Sequence, residues 1–226
     1  PLQPRHRLGV EVVGRLVEEE EVGLLEAVAV AAERLSVRRR ATARELGARI
    51  ERALGDLGLG GTGVEIAVGR RPAGREEPAV EVDGDAVAFD ATGIDVVVFL
   101  IAPNPGEPAR PLAKVASGGE LSRIALAIEE VLVDADATPT LVFDEIDAGI
   151  GGRSADPVGR TLWVLGGRHQ VLCVTHLPQI AAHADAHFAI HKAQRDGRTV
   201  TEVRRLDDAE RVLELAAMLG GPSVPR

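Results

Sequence analysis

One juncture restricts the fold more than any other stretch: a helix that opens on two glycines, followed by a short apolar run that stops on two acids. From Leu121 the apolar positions Leu121, Ile124, Ala125, Ile128, Val131 and Leu132 recur at three and four residues, which predicts an amphipathic helix with one buried face. Ser117 followed by Glu120 is a capping-box pattern, yet Gly118 and Gly119 lie between them, each about 1 kcal/mol worse than Ala inside a helix. Glycines suit such a place when something must approach the backbone. The amides of Gly118, Gly119 and Glu120, with the Ser117 hydroxyl, would present donors at the positive end of the helix dipole, an arrangement that suits a phosphate. Taken alone, SGGE is more often an ordinary cap.

Two strand-like runs downstream change the reading. Thr140 to Phe143 is an apolar run that ends in Asp144 and Glu145, as expected of a central strand in a parallel sheet with acids at its carboxyl end. A second run, Val171 to Thr175, ends in His176. Ligands bind at that end of open α/β sheets. Singly, each group has a plainer use: Asp144 and Glu145 could form a strand-end turn, and His176 could cap a helix or sit in the core.

Together these segments resemble the heads of ATP-binding cassette and SMC-type ATPases. SGGE (Ser117 to Glu120) is similar to the signature motif, LVFDE (Leu141 to Glu145) to Walker B with its following glutamate, and VTH (Val174 to His176) to the histidine switch. Asp147 to Gly149 sits where the D-loop should be. The wording FLIAPNPGEPARPLAKVASGGELSR, FDEIDAGIGG, VTHLPQIAAHADAHF and LDDAERVLELAAMLGG, from about Val96 to Gly221, resembles the RecN family of bacterial DNA-repair proteins.

The resemblance implies an α/β fold: the C-terminal lobe of an ABC/SMC-type ATPase head, with a parallel sheet, flanking helices and a β meander, preceded by a long coiled-coil-like helix. It implies ATP and Mg²⁺ as cofactors, Asp144 holding the metal through a water, and Glu145 orienting the attacking water. His176 would contact the terminal phosphate. Ser117, Gly118, Gly119 and Glu120 would grip that phosphate on a nucleotide bound by a second head, with Asp147 at the seam between heads. The implied partners are an N-terminal half carrying Walker A, a second head in a homodimer, and DNA held by the complete protein; the implied function is repair of double-strand breaks. No G-x-x-x-x-G-K-S/T occurs in the 226 residues, so the loop that cradles the β- and γ-phosphates must be supplied from elsewhere. The alternatives are a non-catalytic dimerisation module or a head fragment of another member, such as a chromosome-organising SMC protein or a transporter subunit.

The remaining chain supports this organisation. Residues 1–22 carry no assignable pattern. Residues 23–58 form a long helix on the positions Leu24, Val28, Ala31, Leu35, Thr42, Leu46, Ile50, Ala53 and Leu57, either the end of a coiled-coil arm or an ordinary packing helix. The basic cluster Arg38, Arg39, Arg40 and Arg44, interleaved with Glu33, Glu45 and Glu51, reads as a solvated helix face. Residues 59–226 are the lobe. The glycines from Gly58 to Gly63 lack the lysine of a phosphate loop and read as a helix C-cap with a turn. Strands are expected at Val64 to Val68, Ala79 to Val82, Ala86 to Phe89 and Val96 to Ile101, with a turn at Asn104 to Glu107. A helix is expected at Ser154 to Leu165, tolerating Pro157 only in its first turn, then a short helix at Leu177 to Asp185. Strands near His187 to Lys192 and Thr199 to Leu206 and a last helix at Ala209 to Leu219, capped by Asp207 or Asp208, complete the chain.

Composition sets the outer limits. At 45% apolar content with five aromatics, the core is built of small aliphatics. The net charge of −9 argues against a broad nucleic-acid surface on this piece, and 24 of its 26 basic residues are Arg. The single cysteine, Cys173, fits a reducing cytoplasm and reads as a buried structural thiol. The expectation is a soluble, cytoplasmic, nucleoid-associated protein with no membrane contact.

Overall fold

The structure, a computed structural model, describes residues 4–114, 117–195 and 198–220, with side chains from residue 22 onward apart from those of 152, 153 and 193. The chain divides into two units, residues 1–47 with 65–100 and residues 48–64 with 101–226.

The long helix α1 runs over Pro4–Asp56, 53 residues, so it takes in most of the stretch that had no assignable pattern. In the first unit its buried positions among residues 22–47 are Ala32, Ser36, Ala43 and Gly47, one residue on from the expected Ala31, Leu35, Thr42 and Leu46; Leu35 is 39% exposed. The rotation follows from a polar anchor. Asp95, its side chain fully buried, accepts a hydrogen bond from Ser36 Oγ (2.6 Å) and pairs with Arg39 (3.0 Å), which places Ser36 rather than Leu35 inward. Arg39 therefore leaves the solvated face to which the pattern assigned it. Ala32 packs with Val80, Val82, Val87 and Ile94, and Val28, Ala29 and Phe89 cover that cluster.

The four expected strands form at β1 (Gly63–Arg70), β2 (Ala79–Val82), β3 (Asp85–Ala88) and β4 (Asp95–Ala102), but they do not run as a simple meander. β2 and β3 pair with each other as a hairpin, while β1 and β4 join the short β5 (Arg110–Pro111) in the order β1-β4-β5. The hairpin turn holds both Asp83 and Gly84 at positive φ, the two-residue geometry that suits strand twist.

In the second unit Ile50 and Leu54 of α1, and Leu57 just past its end, are completely buried, each contributing about 1.5–3 kcal/mol. The helix ends as its glycines predict. Gly58 takes φ +80, its amide bonds Gly55 O, and the Leu59 amide bonds Leu54 O, the pair of reversed bonds that closes a Schellman cap. Asn104 to Glu107 is a turn closed by Glu107 N to Asn104 O at 3.1 Å.

Helix α2 (Gly118–Leu132) precedes β6 (Thr140–Phe143), and α3 (Gly152–Leu165) joins it to β7 (Gln170–Cys173). Because α3 begins two residues earlier than the pattern suggested, Pro157 is its sixth residue and lies beyond the first turn. Ala155, Val158, Leu162 and Leu165 form its buried stripe. Gly159 lies against the backbone of α4 (Pro178–Ala181), a single turn shorter than expected; a Cβ there would meet Gln179 O and Ile180 Cα at 3.1 Å. β8 (Phe188–Arg195) and β9 (Arg198–Arg205) form an antiparallel hairpin longer than predicted. Helix α5 (Asp208–Met218) starts from Asp207 with a full capping box to Glu210.

Candidate functional site

The site is built where two parallel strands end. β6 and β7 pair in register from Thr140↔Gln170 to Phe143↔Cys173, and the Val174 amide extends the ladder to Phe143 O at 2.9 Å. The next residues, Asp144 and Glu145 on one strand and Thr175 and His176 on the other, therefore leave the sheet at the same carboxyl end.

Helix α2 brings its first turn to that end. Ser117 is its N-cap in extended backbone conformation, and Ser117 Oγ accepts from the Glu120 amide at 3.4 Å. Ser122 Oγ donates to Asp144 O at 2.7 Å, and Arg123 Nη1 donates to Ile146 O at 3.2 Å and to Ala148 O at 2.9 Å. The glycines are explained by this docking. A Cβ on Gly119 would lie 2.8 Å from both Ala148 Cβ and Ala148 O, and a Cβ on Gly118 would collide with the Glu145 carboxylate. Ser117, Gly118, Asp144 and Glu145 are exposed, Glu120 is half-buried, and Gly119 is buried.

Glu145 has φ +55, a left-handed conformation that costs a side-chain-bearing residue about 1–2 kcal/mol. It is held there on both sides: its amide donates to Asp144 Oδ1 at 2.9 Å, and its carbonyl accepts from the Ala148 amide at 3.0 Å. Strain of this kind persists where the surroundings over-determine it, and here it turns the Glu145 carboxylate toward the tip of α2.

Asp147 and His176 form the other half of the cluster. Asp147 Oδ2 accepts from Thr175 Oγ1 at 2.6 Å, from the His176 amide at 2.8 Å, and faces His176 Nδ1 at 2.9 Å. Burial pushes the Asp147 carboxyl up, but the Thr175 and His176 hydrogen bonds together outweigh it and hold the group below the usual carboxylate range. The carboxylate is 7% exposed, whereas the His176 side chain is 76% exposed. The resemblance implies a place for Asp147 at a seam between heads; within this chain its carboxylate is buried and accepts from the Thr175 hydroxyl and the His176 amide.

Other groups bound the chemistry. Cys173, half-buried as the last residue of β7, has its thiol pushed up to about 12 by burial and by the nearby Asp147 and Asp144 charges, which disfavours the thiolate a nucleophile needs. Among the described residues no cluster of three His, Cys, Asp or Glu could hold a metal. The donor set fits Mg²⁺ all the same: an exposed carboxylate at Asp144, one oxygen of which is taken by an amide, suits an ion that keeps its waters and shares phosphate oxygens. A cleft beside the helix tip, lined in part by Gly58, Thr62, Asn104 and Glu120, holds about 180 Å³, below the about 300–1,000 Å³ of pockets that enclose a small ligand.

The structure thus brings Ser117, Gly118, Gly119, Glu120, Asp144, Glu145, Asp147 and His176 to one end of one strand pair. Sequence reasoning missed Ser122, Arg123 and Thr175, which tie these segments together. A signal for Arg123 was present: a cation four residues after Gly119 and four before Ala127, both buried with it on one face of α2.

No protein-family model matches the chain. It is 44% identical over 196 residues to the DNA repair protein RecN of Xylella fastidiosa strain 9a5c, covering 87% of this chain and 33% of that protein. It is 42% identical over 197 residues to the RecN of Bacillus subtilis strain 168, again covering 87% of this chain and 34% of the relative. With the RecN of Streptomyces coelicolor the identity is 50% over 147 residues, 65% of this chain and 26% of that one. The chain spans about a third of the length of such relatives. Among solved structures, an Smc head domain with a coiled coil and joint from Pyrococcus yayanosii superposes with TM-score 0.60 at 19% identity, over 94% of this chain and 36% of that one. An Smc head domain with an extended coiled coil from Pyrococcus furiosus gives TM-score 0.56 at 19% identity, over 93% and 47%.

Proposed function

We propose that this chain, a RecN-family sequence over about a third of such a protein's length, forms one lobe of an SMC-type ATPase head that acts in DNA repair. The observation that carries the reading is the convergence of the α2 tip with the ends of β6 and β7, which sets the exposed Ser117 and Gly118, two exposed carboxylates and an imidazole at one end of one strand pair.

Phosphoryl transfer to water needs the phosphate held, its charge countered and a water aligned for in-line attack. Glu145 is the water-orienting base: its strained backbone sets the direction in which the side chain leaves the chain, toward the tip of α2. His176, its side chain 76% exposed just past the end of β7, would contact the terminal phosphate. Asp144 would hold Mg²⁺ through a water, and the ion would supply charge neutralisation at the phosphate oxygens. Ser117 and the amides of Gly118, Gly119 and Glu120 would grip the phosphate of a nucleotide carried by a second head, since the chain holds no phosphate loop of its own to bring one to them. The complete head would add an N-terminal half with that loop, pair with a second head, and act on DNA in the cytoplasm at the nucleoid. Helix α1 would be the returning strand of a coiled-coil arm. Among the described residues no helix is long and apolar enough to cross a membrane.

The test is complementation. The 226-residue chain alone should show negligible ATP turnover; joined to an N-terminal half of a RecN protein it should gain turnover, and Glu145→Gln should remove it by about 10²- to 10⁴-fold while nucleotide still binds. Turnover by the isolated chain, or a completed head indifferent to Glu145→Gln, would overturn the proposal.

A further inference from the structure

We propose that the outward face of the β8–β9 hairpin binds nucleic acid: Lys192, Arg205 and, at the tip, Arg198 meet backbone phosphates, and Phe188 offers a base a ring to stack on. The first argument is where the charge lies. Phe188–Arg205 contains five cations and two acids, a net +3, so a chain at −9 carries −12 on the rest of its length. An overall charge that excludes a broad nucleic-acid surface leaves room for a narrow one. Two of the five cations are engaged within the chain, Arg195 with Glu202 and Arg204 with Glu210 of α5, each at 2.5 Å. Among the described residues no carboxylate pairs with Lys192, Arg198 or Arg205, and all three are exposed.

Strand register decides which side chains act together. Phe188 pairs with Arg205, Ile190 with Val203 and Lys192 with Thr201, so these six share one face. That face points to water: Phe188 is 52% exposed, Ile190 58% and Val203 64%, whereas Ala189 on the opposite face is buried and Arg204 there reaches Glu210 of α5. Among the described residues no third strand pairs with the hairpin. At about 3.3 Å per residue, Lys192 lies about 13 Å along the ribbon from Arg205 and Arg198 about 23 Å from it, a row of cations rather than a knot. An exposed ring beside such a row suits a single strand, whose phosphates take the charges while a base takes the ring. A protein partner fits the face less well, since Lys is depleted where proteins meet and an unpaired ammonium would have to be desolvated there.

The inference deepens the repair reading by naming a surface for its nucleic acid, and it rests on that reading for its purpose. Its test uses neither ATP nor turnover. Fluorescence anisotropy of a labelled single-stranded DNA oligonucleotide, and of the same sequence as a duplex, would be followed against the 226-residue chain and against the completed head as salt is raised. Both proteins should bind the single strand, with log Kd rising against log salt at a slope of about 2, as three phosphate contacts require. Lys192→Gln with Arg205→Gln should weaken binding at least about tenfold and lower that slope by about 1.4, while Arg38→Gln with Arg40→Gln, the same loss of charge on an exposed stretch of α1, should change neither. Should the first pair lower Tm, Lys192→Gln alone decides, with a slope lower by about 0.7. Phe188→Ala should weaken single-strand binding by about 5- to 100-fold without altering the slope, and leave the duplex unaffected; an unchanged single-strand affinity would remove the base from the face. Equal losses in the two charge pairs would mean diffuse attraction and sink the hairpin as the site. Binding by the chain that vanishes in the completed head would give the face to the N-terminal half. A dimer in sedimentation that dissolves in Lys192→Gln with Arg205→Gln, with no oligonucleotide bound, would give it to a second copy. Either result overturns the proposal, as does a wild-type chain that binds no oligonucleotide at about 50 mM salt. A completed head without turnover would remove the ATPase reading and leave this result standing.

Discussion

Gly118 and Gly119 are neighbours with the same lack of side chain, yet they exclude a Cβ for different reasons. Gly119 faces backbone: a methyl there meets Ala148 O and Ala148 Cβ at 2.8 Å and Glu145 O at 3.1 Å, none of which can swing aside. Gly119→Ala should therefore destabilise the chain by about 1–3 kcal/mol in urea denaturation. Gly118 faces only the end of the Glu145 side chain, which can rotate away. Gly118→Ala should leave stability unchanged or raise it by up to about 1 kcal/mol through helix propensity, yet still reduce turnover of the completed head because Glu145 is displaced. Equal losses of stability in the two variants would refute this account. Cys173 supplies a second residue-level test. A thiol held up near 12 in the fold, against about 8.5 when unfolded, binds its proton more tightly in the folded chain. Its contribution to stability is thus complete below the unfolded value and is lost as pH rises toward about 12, so Cys173→Ala should flatten the alkaline limb of a stability–pH curve. At neutral pH, alkylation of Cys173 should follow unfolding rather than precede it.

At the scale of elements, α2 is anchored by a cation. Arg123 lies on the buried face, 6% exposed, and its guanidinium bonds two carbonyls of the loop after β6. Burial lowers its pKa, partly offset by Glu120, so the charge is kept against a desolvation penalty that the carbonyls offset only if both are reached. Arg123→Ala should cost about 2–4 kcal/mol, and Arg123→Met, which keeps the stem but no donors, should restore only the packing part of that loss. The same residue shows where the sequence stopped being readable. Periodicity found the helix and its cap but chose Leu121 and Ala125 for the core, whereas Gly119, Arg123, Leu126 and Ala127 take that face and Leu121 is 40% exposed. A pattern that scores only apolar residues cannot see a buried cation or a glycine at a close approach. The α1 seam was misread by one position for a like reason, since Ser36 and Arg39 turn inward to a buried Asp95 that lies far away in sequence. The strand ends were legible because apolar runs closed by Asp144-Glu145 and by His176 declare themselves locally. Thr175 and the inward turn of Asp147 were not, because each depends on a partner across the parallel pair.

For the molecule as a whole, the informative feature is a parallel strand pair with one uncovered face. Leu141 and Phe143 are buried, but Val142 is 67% exposed, Leu172 beside it 50%, and Val174 53%. Parallel strands are normally covered on both faces, because the helical crossovers that connect them lie there. Three aliphatics in water on a two-stranded parallel sheet therefore mark a face that a further element could cover. We expect the N-terminal half, supplied as a separate polypeptide, to cover this face and to stabilise the chain by mass action, by about 2.7 kcal/mol at a hundredfold excess over its dissociation constant. The gain should appear as a rise in Tm that grows with partner concentration. Placing a charge at Val142, as in Val142→Glu, should leave the isolated chain folded, since that side chain is already in water, but abolish both the rise in Tm and the turnover gained by complementation. If Val142→Glu left complementation intact, the uncovered face would not be where the halves meet, and the convergence of α2 with the ends of β6 and β7 would have to be completed from another side.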